Sequence, residues 1–250
     1  MRHEHRADSS QGFSIIIPVL KEAGNIPRLL KRISRIQFED GNFEVILIDD
    51  NSQDGTVELV SYLKIQYSWL KLIVRQEDRS WAKSVLEGVR CALYPLLIFM
   101  DADLSHPPEK IPQMLALLKQ PDVDMVIGSR YVQQGGIDKK WPFYRSVISR
   151  LAAGVIKPLL PSSIKDPLSG FIAIKKENHA VNGHAWNPIG AKMGLEILVK
   201  SPIKNIVEIP IYFEQRKQGS SKLLNMKMAL LYLKQVNRLW TYKLFRQKSR

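Results

Sequence analysis

Residues 96–109 read LLIFMDADLSHPPE, and within this stretch a run of apolar side chains ends at two carboxylates. The run 96–100 predicts a buried strand, because apolar residues in unbroken succession suit a strand covered on both faces. The Pro-Pro-Glu of 107–109 predicts the start of a helix, since proline suits a first turn. In open α/β sheets, ligands bind beyond the carboxyl ends of the strands. Asp101 and Asp103 are therefore a candidate functional pair.

The same alternation of strand and helix extends in both directions from this stretch. Apolar runs at 13–18, 43–49, 70–75 and 123–129 predict four further strands, with segments of helical period between them. After residue 130 we expect helices near 142–157, 190–200 and 222–246, and strands near 171–175 and 206–213. The pattern predicts an α/β fold with a mostly parallel sheet flanked by helices. It divides the chain into a disordered tail (1–12), one α/β domain (13–221) and a basic amphipathic C-terminal helix with its tail (222–250).

Composition and charge narrow the class of protein. The chain has 250 residues, of which 45% are hydrophobic and 24% charged, as in an ordinary folded domain. The single cysteine, Cys91, excludes an intramolecular disulfide framework and a multi-cysteine zinc site, and favours the cytosol. No apolar run reaches the ~20 residues that span a bilayer. The net charge of +13 predicts an anionic partner, and most of the excess of basic over acidic residues lies in residues 201–250.

The residues that follow each predicted strand form one candidate site. Glu22 follows the first strand, Asp50 the second, Asp101 and Asp103 the fourth, and Arg130 the fifth. Three strand ends with carboxylates and one with a guanidinium predict a cradle for a divalent metal and a phosphorylated ligand. The alternative is that the acidic pairs are only solvated turns. The chain has no glycine-rich phosphate loop of either common type, so metal and basic side chains must hold the phosphates.

Four segments taken in order resemble a known family. They are 13–26 (FSIIIPVLKEAGNI), 44–56 (EVILIDDNSQDGT), 96–109 and 125–137 (MVIGSRYVQQGGI). Together they resemble the inverting glycosyltransferases that use nucleotide-sugar donors, and within that family the dolichol-phosphate or polyprenol-phosphate mannose synthases. The resemblance implies a GT-A (Rossmann-like) fold over 13–221 and a Mg²⁺ or Mn²⁺ cofactor. It also implies transfer of mannose from GDP-mannose to a polyprenyl or dolichyl phosphate with inversion.

The resemblance also implies roles for single residues. The nucleotide-sugar would contact Pro18, Leu20, Glu22, Ile48, Asp50, Asp101, Ala102, Asp103, Ser105, Arg216 and Lys222. The metal would be held by Asp103 and Ser105, and the acceptor phosphate by Arg130 and Arg145. The groups expected to act in catalysis are Asp101, Asp103, Arg130 and Arg216.

Some positions depart from the family's pattern. Leu20 and Lys21 stand where a tyrosine and an asparagine are usual, Ile172 stands for an arginine, and Gly194 stands for a glutamine. These departures concern the identity of the donor more than the class of reaction.

The segment 222–246 combines cationic and bulky apolar residues on a predicted helix. Lys227, Lys234 and Arg238 lie on one side, and much of the rest of its circumference is apolar, including Leu230, Leu233, Val236, Trp240 and Leu244. Such a helix suits a membrane interface, so we expect a cytoplasmic enzyme that is peripheral on an anionic membrane surface. The alternative is a helix that packs on the catalytic domain or on a membrane-protein partner subunit.

Two other functions remain open at this point. A related glycosyltransferase could act on a saccharide hydroxyl in surface-polymer synthesis, which would benefit from a carboxylate base. The positive charge alone would also suit a nucleic-acid-binding protein, but no RNA- or DNA-binding signature stands in the sequence and we expect no nucleic-acid partner.

Overall fold

The computed structural model describes residues 11–39, 41–76, 79–138, 143–179, 186, 189, 192–214 and 226–248. Within them the strands are β1 (Phe13–Val19), β2 (Phe43–Asp49), β3 (Leu70–Val74), β4 (Leu96–Phe99), β5 (Met125–Ser129), β6 (Gly136–Ile137), β7 (Ile172–Lys175), β8 (Ile206–Pro210) and β9 (Tyr212–Phe213). The helices are α1 (Ile26–Ile33), α2 (Thr56–Gln66), α3 (Trp81–Cys91), α4 (Ile111–Leu118), α5 (Phe143–Ile156), α6 (Met193–Lys200) and α7 (Met226–Lys248). A short 3₁₀ turn, Pro108–Lys110, leads into α4.

The strands form a central sheet in the order β3-β2-β1-β4-β7-β5-β8. All neighbouring pairs are parallel except those of β7, which runs antiparallel to both β4 and β5. The small strands β6 and β9 pair with each other in parallel. The prediction of an α/β fold with a mostly parallel sheet is confirmed, and the direction of β7 is what the sequence pattern did not specify.

The sheet is covered on both faces, which explains why its strands are apolar without alternation. Neighbouring residues of β1 point to opposite faces. Ile15 and Ile17 belong to the core cluster that includes α1, α2 and α4, whereas Ile16 belongs to the cluster that includes α3, α6 and α7. Gly88 of α3 allows that helix to approach closely, because a Cβ there would lie 2.5 Å from Cγ2 of Ile16. The two layers of helices leave the carboxyl ends of the parallel strands as an open edge.

Strands β2, β1 and β4 are neighbours, so the turns that follow them lie side by side. Backbone hydrogen bonds continue the pairing beyond the strands: the N–H of Asp50 donates to Val19, and the N–H of Met100 donates to Ile16. The predicted cluster of three carboxylate-bearing strand ends is therefore formed.

Helix α7 spans Met226–Lys248, where the sequence predicted a helix over 222–246, and one face of it packs into the domain. Val236 and Leu239 are buried in the same core as α3 and α6. The Tyr232 hydroxyl donates to the carbonyl of Ala152, and burial raises the pKa of Tyr232 to about 12. The side chain of Gln235 donates to the backbone carbonyl at the start of α6. The contacts thus correspond to the alternative of a helix packed on the catalytic domain.

This packing corrects part of the predicted apolar surface of α7. Val236 is buried and Trp240 is partly buried against the core, so neither faces a membrane. Leu230, Leu233 and Leu244 are exposed as expected, while the side chain of Lys227 lies outside the described part. Of the helices in that part, none is both long and apolar enough to cross a bilayer.

Candidate active site

The turns after β1 and β2 are bonded to each other. The N–H of Lys21, a residue with a positive φ of 55°, donates to Oγ of Ser52 at 2.8 Å, and the N–H of Ala23 donates to Asp54. Glu22 is buried, and its Oε2 accepts a hydrogen bond from the side chain of Asn25 at 2.7 Å. The two turns therefore form one wall of the candidate site.

The predicted nucleoside contacts Pro18 and Ile48 are direct register partners on β1 and β2 and are buried. Leu20 follows at the end of β1 and is half-buried. Pro18, Leu20, Glu22, Ile48 and Asp50 thus lie near the carboxyl ends of β1 and β2, and their contact with a nucleoside stays a prediction.

Asp50 has a cationic partner that sequence reasoning missed. Its Oδ1 lies 2.5 Å from Nη1 of Arg75, and both side chains are largely buried, at 6% and 14% exposed. Arg75 follows β3 and also donates to Oγ of Ser84. Within the described chain, Oδ2 of Asp50 accepts no hydrogen bond. The arginine thus holds the carboxylate in place at the end of β2.

The residues after β4 close into a tight turn. Asp103 Oδ1 accepts from both the N–H and the hydroxyl of Ser105, at 3.0 and 2.5 Å. Leu104 between them takes a left-handed conformation with φ of 67°. The two predicted metal ligands, Asp103 and Ser105, are therefore adjacent, with Ala102 buried beside them.

His106 positions this turn. Its Nδ1 accepts a hydrogen bond from the N–H of Asp101 at 3.0 Å, and its ring is buried, stacked on Phe171 and edge-on to Phe213. Burial lowers the pKa of His106 against the pull of Asp101 and Asp103. The neutral imidazole already uses Nδ1 to accept the hydrogen bond from the backbone of Asp101. His106 is therefore a positioning residue.

Arg130, which follows β5, is paired with Asp166. Asp166 accepts from the backbone N–H, Nε and Nη2 of Arg130 at 3.0, 2.8 and 2.7 Å, and the carboxylate is 1% exposed. Burial opposes the charge of the guanidinium, but the bonds to Asp166 outweigh it and raise the pKa of Arg130. Glu208 in turn holds this turn by accepting from the N–H groups of Lys165 and Asp166. The expected acceptor-binding arginine is thus fixed in orientation by a carboxylate 36 residues away.

Lys192 brings a further cation to the site. Its Nζ donates to the carbonyl of Leu168 at 3.0 Å. Burial lowers the pKa of Lys192 and Arg130 lowers it further, while Asp101 and Asp166 raise it. This side chain therefore lies within electrostatic reach of both the acidic turn and the arginine. The sequence held a clue to Asp166, because a buried arginine requires a carboxylate and KDPLSGF (165–171) supplies one; nothing local distinguished Lys192.

The oxygen ligands present suit a hard divalent cation only in part. Within the described residues, no group of three or more His, Cys, Asp or Glu side chains is arranged to hold a metal. A carboxylate and a hydroxyl in one turn nevertheless fit Mg²⁺ or Mn²⁺, which commonly take one or two protein oxygens and complete their shell with water and substrate phosphates. The donor set of Asp103 and Ser105 is of this kind.

Three predicted residues are not brought into the site by the described part of the structure. Arg216 and Lys222 lie outside the described residues. Arg145 lies in α5, but its side chain is outside them as well.

The departures at Ile172 and Gly194 have a common steric basis. A Cβ at position 194 would lie 2.8 Å from Cδ1 of Ile172, so the isoleucine occupies the space that a larger residue at 194 would need.

Comparison with known proteins adds the following. The model of the family described as glycosyl transferase family 2 matches residues 14–181. Three relatives carry the name dolichol-phosphate mannosyltransferase. The one from Pyrococcus furiosus is 40% identical over 90% of this chain, which spans 63% of that relative. Those from Mycosarcoma maydis and Saccharomyces cerevisiae are 37% and 38% identical over 94% and 92% of this chain and 81% and 88% of their own lengths.

Solved structures show the fold. Glucosyl-3-phosphoglycerate synthase from Mycobacterium tuberculosis, in complex with Mn²⁺, uridine-diphosphate-glucose and phosphoglyceric acid, superposes with a TM-score of 0.67. The match has 16% identity and covers 92% of this chain and 80% of that one. The expected GT-A fold is thereby confirmed.

Proposed function

The chain belongs to glycosyl transferase family 2, and on that premise we propose that it transfers mannose from GDP-mannose to a polyprenyl or dolichyl phosphate with inversion. The name shared by its relatives supports the lipid phosphate acceptor. The observation that carries the proposal is the proximity of the acidic turn to Arg130. Phe213 has its ring 5.5 Å from that of His106 and 5.4 Å from the Arg130 guanidinium. One aromatic side chain thus connects the donor and acceptor groups.

The donor would lie along the edge formed by the ends of β2, β1 and β4. Asp50 and Glu22 would meet the nucleoside, and Asp101 and Asp103 the diphosphate and sugar. In our assignment Asp103 and Ser105 would hold Mg²⁺ or Mn²⁺, which neutralises charge on the departing diphosphate when bound. Arg216 and Lys222 would add cationic charge at the same leaving group.

The acceptor needs little activation by the protein. A phosphate monoester is largely dianionic near pH 7, because its second pKa is ~6. The protein must therefore attract and orient this anion for in-line attack, which inverts the anomeric centre. Arg130 is suited to this role, because Asp166 fixes Nε and Nη2 while Nη1 makes no hydrogen bond within the described residues. Arg145 is assigned to the same phosphate.

We also propose that the protein associates peripherally with the cytoplasmic face of a membrane, since a polyprenyl phosphate stays in the bilayer. The exposed apolar residues of α7 support this placement, namely Leu230, Leu233, Leu244 and Phe245. A membrane-protein subunit that covers the same residues is the other partner they would suit.

The decisive experiment offers labelled GDP-mannose, UDP-glucose and related sugar nucleotides together with a short polyprenyl phosphate and Mn²⁺ or Mg²⁺. We expect a lipid-linked monosaccharide from GDP-mannose that forms only with metal. The inverted linkage should be visible by NMR of the product. Transfer to a saccharide hydroxyl but not to the lipid phosphate would reject the proposal in favour of the polymer-forming alternative.

A further inference from the structure

A cavity of about 580 Å³ lies between α5, the loop after β5 and the turn that carries Asp166. Among the described residues that line it, Arg130, Arg150, Lys157 and Lys165 are cationic and none is acidic. These four come from three separate segments of the chain, so the tertiary fold assembles the charge. Neither Asp101 nor Asp103 lines the cavity, which distinguishes it from the donor edge.

Within the part of the chain that the structure describes, three of the four cations have no carboxylate partner. Arg130 is paired with Asp166. Arg150, Lys157 and Lys165 are exposed and form no ion pair with any residue of the described chain, although the Arg150 guanidinium lies 5.7 Å from the Tyr131 ring. Unpaired positive charge around a concave surface favours an anionic ligand.

The same helix presents an apolar stripe beside the cavity. Arg150 and Gly154 of α5 line the cavity, together with Lys157 just after the end of the helix. Val147, Leu151 and Val155 follow one another along α5 at intervals of four residues, which is the spacing of one helix face. These three apolar side chains are exposed, Leu151 at 66%. An exposed apolar stripe of this kind along one helix marks an interaction site.

We propose that this cavity binds the phosphate of an anionic phospholipid of the membrane while the α5 stripe contacts the acyl region beside it. The surface offers both cationic and apolar contacts to a ligand. A free phosphate would use only the cationic ones. A headgroup held here lies next to Arg130, which among the described residues lines the cavity and also belongs to the candidate active site. Docking would therefore turn the acceptor side of the site toward the bilayer.

Binding at this cavity rests on the proposed membrane association and uses a part of the surface other than α7. It does not require sugar transfer: a chain that binds anionic vesicles through this cavity and transfers no mannose would refute only the proposed function.

The test compares two triple variants of the full chain. The cavity triple is Arg150→Gln, Lys157→Gln and Lys165→Gln. The matched control, Arg28→Gln, Lys31→Gln and Arg35→Gln, removes three exposed cations that line a surface depression on α1. Helix α1 packs on the opposite face of the sheet, and these three also form no ion pair within the described chain. Both triples change the net charge equally, so a general electrostatic effect would be equal in both.

Flotation with phosphatidylcholine vesicles, with and without phosphatidylglycerol, measures the binding. Each cation near an anionic surface contributes ~1 kcal/mol, so the cavity triple should bind the anionic vesicles about 100-fold more weakly. The control should stay within about three-fold of the parent, since its cations are outside the proposed site. Equal weakening by both triples, or none by the cavity triple, would overturn the proposal.

A second arm separates the phospholipid from the acceptor as the source of the phosphate. It measures the KM for a short polyprenyl phosphate in neutral detergent, where no bilayer is present. A higher KM in the cavity triple, with vesicle binding intact, would assign the cavity to the acceptor and overturn the phospholipid. The double variant Lys157→Gln and Lys165→Gln, which keeps the Arg150–Tyr131 contact, should show about 30-fold weaker vesicle binding, so a packing defect at Arg150 cannot mimic the result.

Discussion

Asp166→Ala should lower the free energy of unfolding by about 3–5 kcal/mol, because it leaves the guanidinium of Arg130 buried without a counter-charge. The size follows from the geometry. The carboxylate accepts three hydrogen bonds from Arg130, and the two side chains are only 1% and 11% exposed. Water from the adjoining cavity therefore replaces the lost partner only in part. For a chain of this length, such a loss corresponds to a Tm lower by roughly 10 °C.

Equilibrium unfolding in urea measures the change, and a second variant isolates its cause. Replacing both partners by apolar residues of similar volume, Arg130→Met with Asp166→Leu, removes the buried charge together with its partner. Such replacements are often neutral in stability, so the double variant should recover most of the loss. It should still fail to transfer sugar at the parent rate, because the cation for the acceptor phosphate is gone.

Two results would refute this reasoning. If the free energy of unfolding of Asp166→Ala lies within about 0.5 kcal/mol of the parent value, the change is one typical of surface sites. The Arg130–Asp166 pair would then not be buried as the structure indicates. If the double variant is no more stable than Asp166→Ala, the loss arises from packing and not from the unpaired charge.

Three further predictions follow from other parts of the structure. Asp103→Asn should lower kcat by roughly 100-fold or more at saturating Mn²⁺ with unchanged thermal melting; parent-like turnover would contradict the metal assignment. The pKa of His106 is lowered by burial, so below about pH 6.5 the unfolded state binds a proton that the folded state does not, and stability falls by up to ~1.4 kcal/mol per pH unit. As the pH is lowered from 8 to 5, the urea midpoint of His106→Gln should therefore fall less steeply than that of the parent. Equal slopes for the two proteins would count against this view. Gly88→Ala should destabilise the protein, since its Cβ would meet Ile16, whereas Gly154→Ala should stabilise it by up to ~1 kcal/mol, since its Cβ would meet nothing within 4 Å.

The sequence by itself determined the elements and the edge of the sheet at which ligands bind. Apolar runs such as 96–100 and helical periods are local signals of this fold. The runs are unbroken because the inner strands, such as β1, β4 and β5, are covered by helices on both faces of the sheet. The carboxylates of Glu22, Asp50, Asp101 and Asp103 could be placed together for the same reason. Each lies within a few residues of the carboxyl end of a strand, and parallel neighbours end at the same edge.

Only the tertiary structure decided which charges pair. Strand β7 inserts antiparallel between β4 and β5, and the turn just before it carries Asp166 to Arg130. Lys192 reaches the same place from the start of α6, and α7 turns Val236 inward. These contacts join residues far apart in the chain, and their partners are selected by packing and by the cost of burying an unpaired charge. A local pattern contains no information about that selection, so the pairing of Arg130 and the basic cavity beside it became evident only once the chain was folded.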